Sequence, residues 1–63
     1  MRVGFIGTGE ITAAMVRGLA GRGHQIMVSE RNAQVAAQLA AEVDEVSIAA
    51  NVDVVAGSDV VFL

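Results

Sequence analysis

The feature that most constrains the fold is the junction at the start of the chain, where an apolar segment runs into two glycines. Residues 1–12 read MRVGFIGTGEIT, a short apolar run followed at once by Gly7-Thr8-Gly9 and then by helix-forming sequence. A strand that passes through a tight glycine turn into a helix is the first half of a βαβ unit, whose next strand lies parallel to the first. The junction therefore predicts an α/β fold built on a parallel sheet.

The rest of the chain continues this alternation of strands and helices. Predicted strands cover residues 2–6, 25–29, 46–49 and 59–63, and predicted helices cover residues 10–22 and 33–42, with a brief helix at 51–56. Asn32 and Asn51 are the predicted N-caps of the second and third helices. Gly21 and Gly23 both suit the left-handed residue that ends the first helix, and Gly23 fits the spacing better. Right-handed crossovers then give a Rossmann-type parallel sheet, β-α-β-α-β-α-β, with strand order 3-2-1-4.

Apolar spacing predicts which helix faces pack on the sheet. In the first helix, apolar residues recur every four positions and small residues fill the same face (Ile11, Ala14, Met15, Gly18, Leu19). In the second helix, Val35 and Leu39 are the expected anchors. The last residues, DVVFL, read as a buried strand with no turn signal after it.

Composition excludes several function classes. The net charge is −3, the four arginines are dispersed and only two aromatic residues are present, so we expect no nucleic-acid partner. No apolar run approaches the roughly 18–20 residues that span a bilayer, so we expect no membrane insertion. The chain has no cysteine and no targeting segment, which favours a cytoplasmic protein. We find no metal-ligand spacing and no catalytic residue.

The glycine turn predicts a ligand as well as a fold. Gly7 and Gly9 match the first two glycines of the G-x-G-x-x-G pattern, and Thr12 stands at the third position. The first glycine permits the turn, the second leaves room for a pyrophosphate, and the helix start supplies N–H groups and a positive dipole end. We therefore expect a dinucleotide here; the alternative is a glycine turn that serves only helix–sheet packing. Glu10 is expected to point outward.

The end of the second strand bears on which dinucleotide binds. An acid about 20 residues past the glycines normally holds the ribose hydroxyls of NAD. This chain has Ser29-Glu30-Arg31-Asn32, and the hydroxyl, guanidinium and amide of Ser29, Arg31 and Asn32 favour the phosphate of NADP. Glu30 is the group that would instead serve NAD. In a third interpretation Ser29 and Asn32 only organise the turn, while Glu30 and Arg31 are solvated.

Two longer stretches resemble a known enzyme family. VGFIGTGEITAAMVRGL followed by GHQIMVSERN resembles the amino terminus of pyrroline-5-carboxylate reductase, and GSDVVFL resembles that family's fourth strand, so the likeness spans essentially all 63 residues. Those enzymes use NADPH or NADH to reduce a cyclic imine to proline. The resemblance implies that one group of residues lies against the pyrophosphate (Gly7, Thr8, Gly9, Glu10, Ile11). It implies that Ser29, Arg31 and Asn32 face the adenosine 2′-position.

The family's architecture carries further expectations. Its Rossmann-type domain is followed by a helical dimerisation domain that builds the substrate site. Since 63 residues fall short of the about 100–150 of a usual domain, we expect the front part of a larger dinucleotide-binding domain. The parent protein would be a homo-oligomeric NADP-dependent oxidoreductase acting on a small-molecule substrate, and the 63 residues alone would be inactive.

One departure from the family's pattern keeps other assignments open. The family usually has Asn-Met and a small residue after the second glycine, where this chain has Glu10-Ile11-Thr12. The β-hydroxyacid dehydrogenases and the F420-dependent NADP oxidoreductases share the same nucleotide signature and are alternatives. A non-enzymatic module that binds a nucleotide is another.

Overall fold

The computed structural model describes residues 1–7, 9–30 and 33–63 and contains one parallel sheet with helices between its strands. The elements are β1 (Arg2–Phe5), α1 (Glu10–Leu19), β2 (Gln25–Ser29), α2 (Ala33–Glu42), β3 (Val46–Ala49), α3 (Asn51–Gly57) and β4 (Val60–Phe62). The strand order is β3-β2-β1-β4 and all three pairings are parallel. The predicted Rossmann-type fold with order 3-2-1-4 is confirmed.

The core lies between one face of the sheet and helices α1 and α2. Alternate residues of β1 and β2 carry it, because successive side chains of a strand point to opposite faces. These strand residues form one buried cluster with residues of both helices (Val3, Phe5, Ile26 and Val28 with Ala13, Val16, Ala36 and Leu39). On the other face α3 packs so closely on β1 that a Cβ built at Gly4 would lie 2.7 Å from Cγ1 of Val54.

Helix α1 ends earlier than predicted, and a different glycine follows it. Its last residue is Leu19, and the C-cap Ala20 is already extended, with φ −61° and ψ 139°. Gly21, with φ +73°, is therefore the left-handed residue after the cap, so of the two glycines that suit this position the preferred one, Gly23, was wrong. Gly23 also has a positive φ, +84°, but it belongs to the bend that leads into β2.

The predicted packing face of α1 is correct only at Met15 and Leu19, which are partly buried and pack against the core. Ala13 and Val16 are buried, whereas Ile11 is 80% exposed and Ala14 and Gly18 are exposed too. Four residues turn a helix by slightly more than one revolution, so a stripe at this spacing drifts by about 40° at each step. Ile11 is consequently rotated away from the sheet, while the far end of the stripe stays partly buried. In α2, Leu39 is buried as predicted.

Strand β4 is an edge strand and is not buried as predicted. Phe62 stacks on Phe5 with ring centroids 5.3 Å apart, yet it remains 42% exposed. Its outer side borders an open apolar groove of about 460 Å³ on the α1 side of the sheet (Met1, Val3, Met15, Gly18, Leu19, His24, Val60, Phe62). β4 is less covered than the inner strands because the sheet in the described residues ends there.

Two smaller points complete the fold. The predicted N-cap Asn51 is the first helical residue of α3, and the extended Ala50 before it is the cap. The predicted N-cap Asn32 lies outside the described residues. Across residues 1–7, 9–30 and 33–63, no helix has both the length and the apolar character needed to cross a membrane.

Candidate functional site

The glycine turn joins the carboxyl end of the central strand to the first helix. The Ile6 N–H still donates to the Phe62 carbonyl at 2.9 Å, so β1 remains tied to β4 up to the turn. Gly7 then takes φ +82°, in the left-handed region. A Cβ at Gly7 would meet nothing within 4 Å, so glycine is needed here for backbone conformation and not for space. Thr8 lies outside the described residues.

The start of α1 leaves its first turn open to a ligand. Gly9 is the extended N-cap, with φ −117°, and no side chain among the described residues caps the helix. The first helical hydrogen bond runs from the Ala13 N–H to the Gly9 carbonyl at 2.9 Å. A Cβ at Gly9 would meet nothing within 4 Å, so the space beside the turn is empty. Uncapped N–H groups beside open space are what a phosphate group requires.

Two side-chain hydroxyls bind the same glycine. The Gly7 N–H donates to Oγ of Ser29 at 2.8 Å, and Oγ1 of Thr12 donates to the Gly7 carbonyl at 3.0 Å. Ser29 comes from the last position of β2 and Thr12 from the first turn of α1. The turn is thus attached to both elements that flank it in the βαβ unit.

The residues predicted to bind the cofactor fall into two places. Glu10 and Ile11 are exposed on the first turn of α1, next to Gly7 and Gly9. Ser29 is 0% exposed, and its hydroxyl is directed to the turn. This geometry matches the interpretation in which Ser29 organises the turn, while its contact with an adenosine phosphate stays a prediction.

The exposed position directly after β2 belongs to Glu30. Arg31 and Asn32, also predicted to face the adenosine 2′-position, lie outside the described residues. At this end of β2 the described residue available to a ligand is therefore a carboxylate.

Sequence reasoning missed the role of Thr12, which it treated only as the residue at the third position of the glycine motif. A signal for it exists. Helical side chains lean toward the helix N-terminus, so a hydroxyl three residues after the N-cap is directed back at the turn.

The acidic residues at the opposite edge of the sheet have structural partners. The Arg2 N–H donates to Oδ2 of Asp59 at 2.9 Å, and this bond, together with that from the Arg2 guanidinium, lowers the pKa of the Asp59 carboxyl. The Gly21 N–H donates to Oε2 of Glu45 at 2.6 Å. Both acids precede strands, so they lie at the strand-start edge and away from the glycine turn.

Comparison with known proteins identifies a family. A family model described as NADP oxidoreductase, coenzyme F420-dependent, matches residues 2–63, which include β1, the glycine turn and the end of β2. No curated protein and no solved structure gives a significant match. The chain therefore belongs to the NADP oxidoreductase, coenzyme F420-dependent, family of NAD(P)-dependent oxidoreductases.

Proposed function

We propose that this chain is the NAD(P)H-binding segment of an oxidoreductase and that the pyrophosphate of the dinucleotide binds at the turn between β1 and α1. The observation that carries the proposal is the turn itself. Gly7 has a positive φ, Gly9 borders open space, and α1 begins without a side-chain cap at the carboxyl edge of the central parallel strand. Ligands of such sheets bind at this edge, where the strand order reverses.

The proposed contacts follow from the turn. Backbone N–H groups of the turn and of the first helical turn would hold the pyrophosphate (Thr8, Gly9, Glu10, Ile11). Gly7, whose own N–H donates to Ser29, would lie against it. The Glu10 and Ile11 side chains are exposed, so they leave the backbone on the ligand side accessible. The nicotinamide supplies the hydride when bound, and the part of this chain is to bind and orient it.

For the dinucleotide itself we propose NADP. The support is the family's description and the chemistry of Arg31 and Asn32, a permanent planar cation beside an amide. NAD is the second candidate, because the exposed carboxylate of Glu30 directly follows β2. A carboxylate at that place accepts hydrogen bonds from ribose hydroxyls and repels a 2′-phosphate.

The test is a side-by-side titration of the native protein with NADPH and NADH at one salt concentration. If Arg31 reads the 2′-phosphate, Arg31→Ala weakens NADPH by about 1.5–3 kcal/mol and leaves NADH nearly unchanged. Arg22→Ala is the matched control, because Arg22 is an exposed arginine whose Nε donates to the Gly18 carbonyl, at the other end of α1. Equal weakening of both dinucleotides by Arg31→Ala would contradict the contact between Arg31 and the 2′-phosphate. A preference of the wild type for NADH would indicate that Glu30 binds the ribose hydroxyls instead.

We further propose, from the resemblance to pyrroline-5-carboxylate reductase, that the reaction is reduction of a cyclic imine in proline biosynthesis. The hydride would add to the imine carbon while a proton adds to the nitrogen. The substrate and dimerisation residues would lie in a helical domain outside these 63 residues, in a homo-oligomer. The family match supports oxidoreductases more broadly, so reductases of the β-hydroxyacid dehydrogenase and F420-dependent types are competing assignments.

Substrate assays distinguish these reactions. We expect the native protein to oxidise NADPH when pyrroline-5-carboxylate is added. Reduction of NADP by reduced F420, with no turnover of the imine, would move the protein to the F420-dependent type. Dinucleotide binding without turnover of imines, hydroxyacids or F420 would favour a non-enzymatic module.

A further inference from the structure

We infer that Ser29 and Thr12 are positioning residues that hold the dinucleotide-binding turn in its binding conformation, and that neither selects between NADP and NAD. The inference rests on the proposed function. Ser29 would then orient the turn and would not contact the 2′-phosphate. Thr12, which had no predicted role in binding, would orient the turn as well.

The hydrogen bond from Gly7 gives Ser29 its role. The Ser29 side chain is fully buried, and its Oγ accepts the Gly7 N–H at 2.8 Å. A glycine with φ +82° has more alternative conformations than any other residue, so its orientation must be fixed by bonds from outside the turn. Ser29 supplies one of these from β2, whose position is set by the sheet.

Thr12 acts on the other side of the same residue. Its Oγ1 donates to the Gly7 carbonyl at 3.0 Å. Thr12 is half-buried at the third position of α1, and a β-branched side chain has few rotamers in a helix. Both peptide groups of Gly7 are therefore held, one from the strand and one from the helix.

This arrangement has a distinct consequence for binding. A pyrophosphate is present in both NADPH and NADH, so a loss of preorganisation at the turn weakens both by the same factor. A residue that touches the 2′-phosphate would weaken only NADPH. The ratio of the two dissociation constants thus separates positioning of the turn from reading of the nucleotide.

The experiment measures both dissociation constants for variants of the native protein. Thr12→Val removes the hydroxyl at nearly constant shape, Thr12→Ser keeps it, and Ser29→Ala removes the second hydroxyl. The matched control is Ser47→Ala, a serine on β3 whose Oγ lies 3.5 Å from the Ile26 carbonyl and outside the turn. Denaturation midpoints recorded alongside show whether each variant is folded.

We expect Thr12→Val and Ser29→Ala each to weaken NADPH and NADH equally, by about threefold to tenfold, as for the loss of one hydrogen bond. We expect Thr12→Ser and Ser47→Ala to bind like the wild type. Selective loss of NADPH in Ser29→Ala would overturn the role given to Ser29, and unchanged binding by folded Thr12→Val would overturn that of Thr12. Failure of the proposed function is distinguishable, since the wild type would then bind neither dinucleotide.

Discussion

Glycine occupies position 4 of the central strand because the segment after α3 packs directly on its backbone. A Cβ at this position would lie 2.3 Å from Oγ of Ser58 and 2.7 Å from Cγ1 of Val54. Both distances are far below van der Waals contact, and Val54 is fully buried. Position 4 is thus restricted by space, whereas Gly7 is restricted by its backbone conformation.

We expect Gly4→Ala to destabilise the native protein by about 1–3 kcal/mol, the usual cost of overpacking. Gly18→Ala is the matched control, because Gly18 lies inside α1 with nothing within 4 Å of an added Cβ. That change should stabilise the protein by about 0.4–1 kcal/mol. Denaturant unfolding measures both, and equal effects of the two substitutions would contradict the packing of α3 on β1.

Among the elements, the start of β4 is linked to the start of β1 by hydrogen bonds between Asp59 and Arg2. Its carboxylate accepts hydrogen bonds from the Arg2 N–H at 2.9 Å and from the Arg2 guanidinium at 3.2 Å. The Asp59 N–H donates to the Arg2 carbonyl at 2.7 Å. The first two bonds are stronger to the ionised carboxylate than to the neutral acid, so they lower the pKa of Asp59.

A folded-state pKa below the unfolded value fixes the sign of the pH dependence. The stabilising contribution of Asp59 is complete above the unfolded pKa of about 3.9 and is lost as the pH falls through the lower folded value. We expect the free energy of unfolding to drop with acid below about pH 4, and to drop less steeply in Asp59→Asn. Asp44→Asn, at an exposed acid before β3, is the control for the loss of one surface carboxylate. If the free energy of unfolding of wild type and of Asp59→Asn depended on pH in the same way, the stabilising role of the Asp59 carboxylate would be contradicted.

The elements also show what the sequence could predict. β2, α2 and β3 have the predicted bounds because local signals define them: an apolar run for each strand, and an alanine-rich segment for the helix. The drift of a four-residue stripe means that both ends of the predicted face of α1 cannot pack on the sheet. Which end packs is decided by the sheet and by α2, so the exposure of Ile11 could not be predicted from the helix alone. The burial of β4 was likewise mispredicted, because edge and inner strands share the same apolar composition.

At the candidate site, too, one feature follows from the sequence alone and another depends on the fold. The conformation of Gly7 follows from the glycine motif, whose turn requires a positive φ at that residue. The hydrogen bond from Gly7 to Ser29 joins residues 22 positions apart and exists only once β1 and β2 are paired. The residue pattern allows two roles for Ser29, contact with the 2′-phosphate or organisation of the turn, and it does not show that the hydroxyl reaches Gly7.

In the molecule as a whole, the two edges of the sheet have different roles, one structural and one proposed to bind a ligand. The strand-start edge carries the bonds of Asp59 and Glu45 that fasten strands and loops. The carboxyl edge carries the open glycine turn. A net charge of −3 opposes a polyanionic ligand at long range, so the proposed binding of a dinucleotide would depend on short-range contacts with backbone N–H groups, the helix dipole and, for NADPH, Arg31. This dependence makes the rigidity of the turn, and of the core beneath it, important for affinity.

The core is small enough for one side chain to decide stability. Native proteins are stable by only about 5–15 kcal/mol. Leu39 is the largest fully buried side chain of α2, and truncating such a residue to alanine costs about 2–5 kcal/mol. We expect Leu39→Ala to lose much of the stability of this domain, whereas Val52→Ala, at a 72% exposed position of α3, should change it by less than about 0.5 kcal/mol.

Ligand binding offers a second readout of the same variants. A dinucleotide that binds only the folded state adds about 2.7 kcal/mol when present at 100 times its dissociation constant. In the native protein we therefore expect NADPH to increase the free energy of unfolding of Leu39→Ala by about the same amount as that of the wild type, provided the turn is intact. Thermal or denaturant unfolding with and without NADPH measures this. If Leu39→Ala were no less stable than Val52→Ala, α2 would not contribute to the core; if NADPH protected neither protein, the glycine turn would not be its binding site.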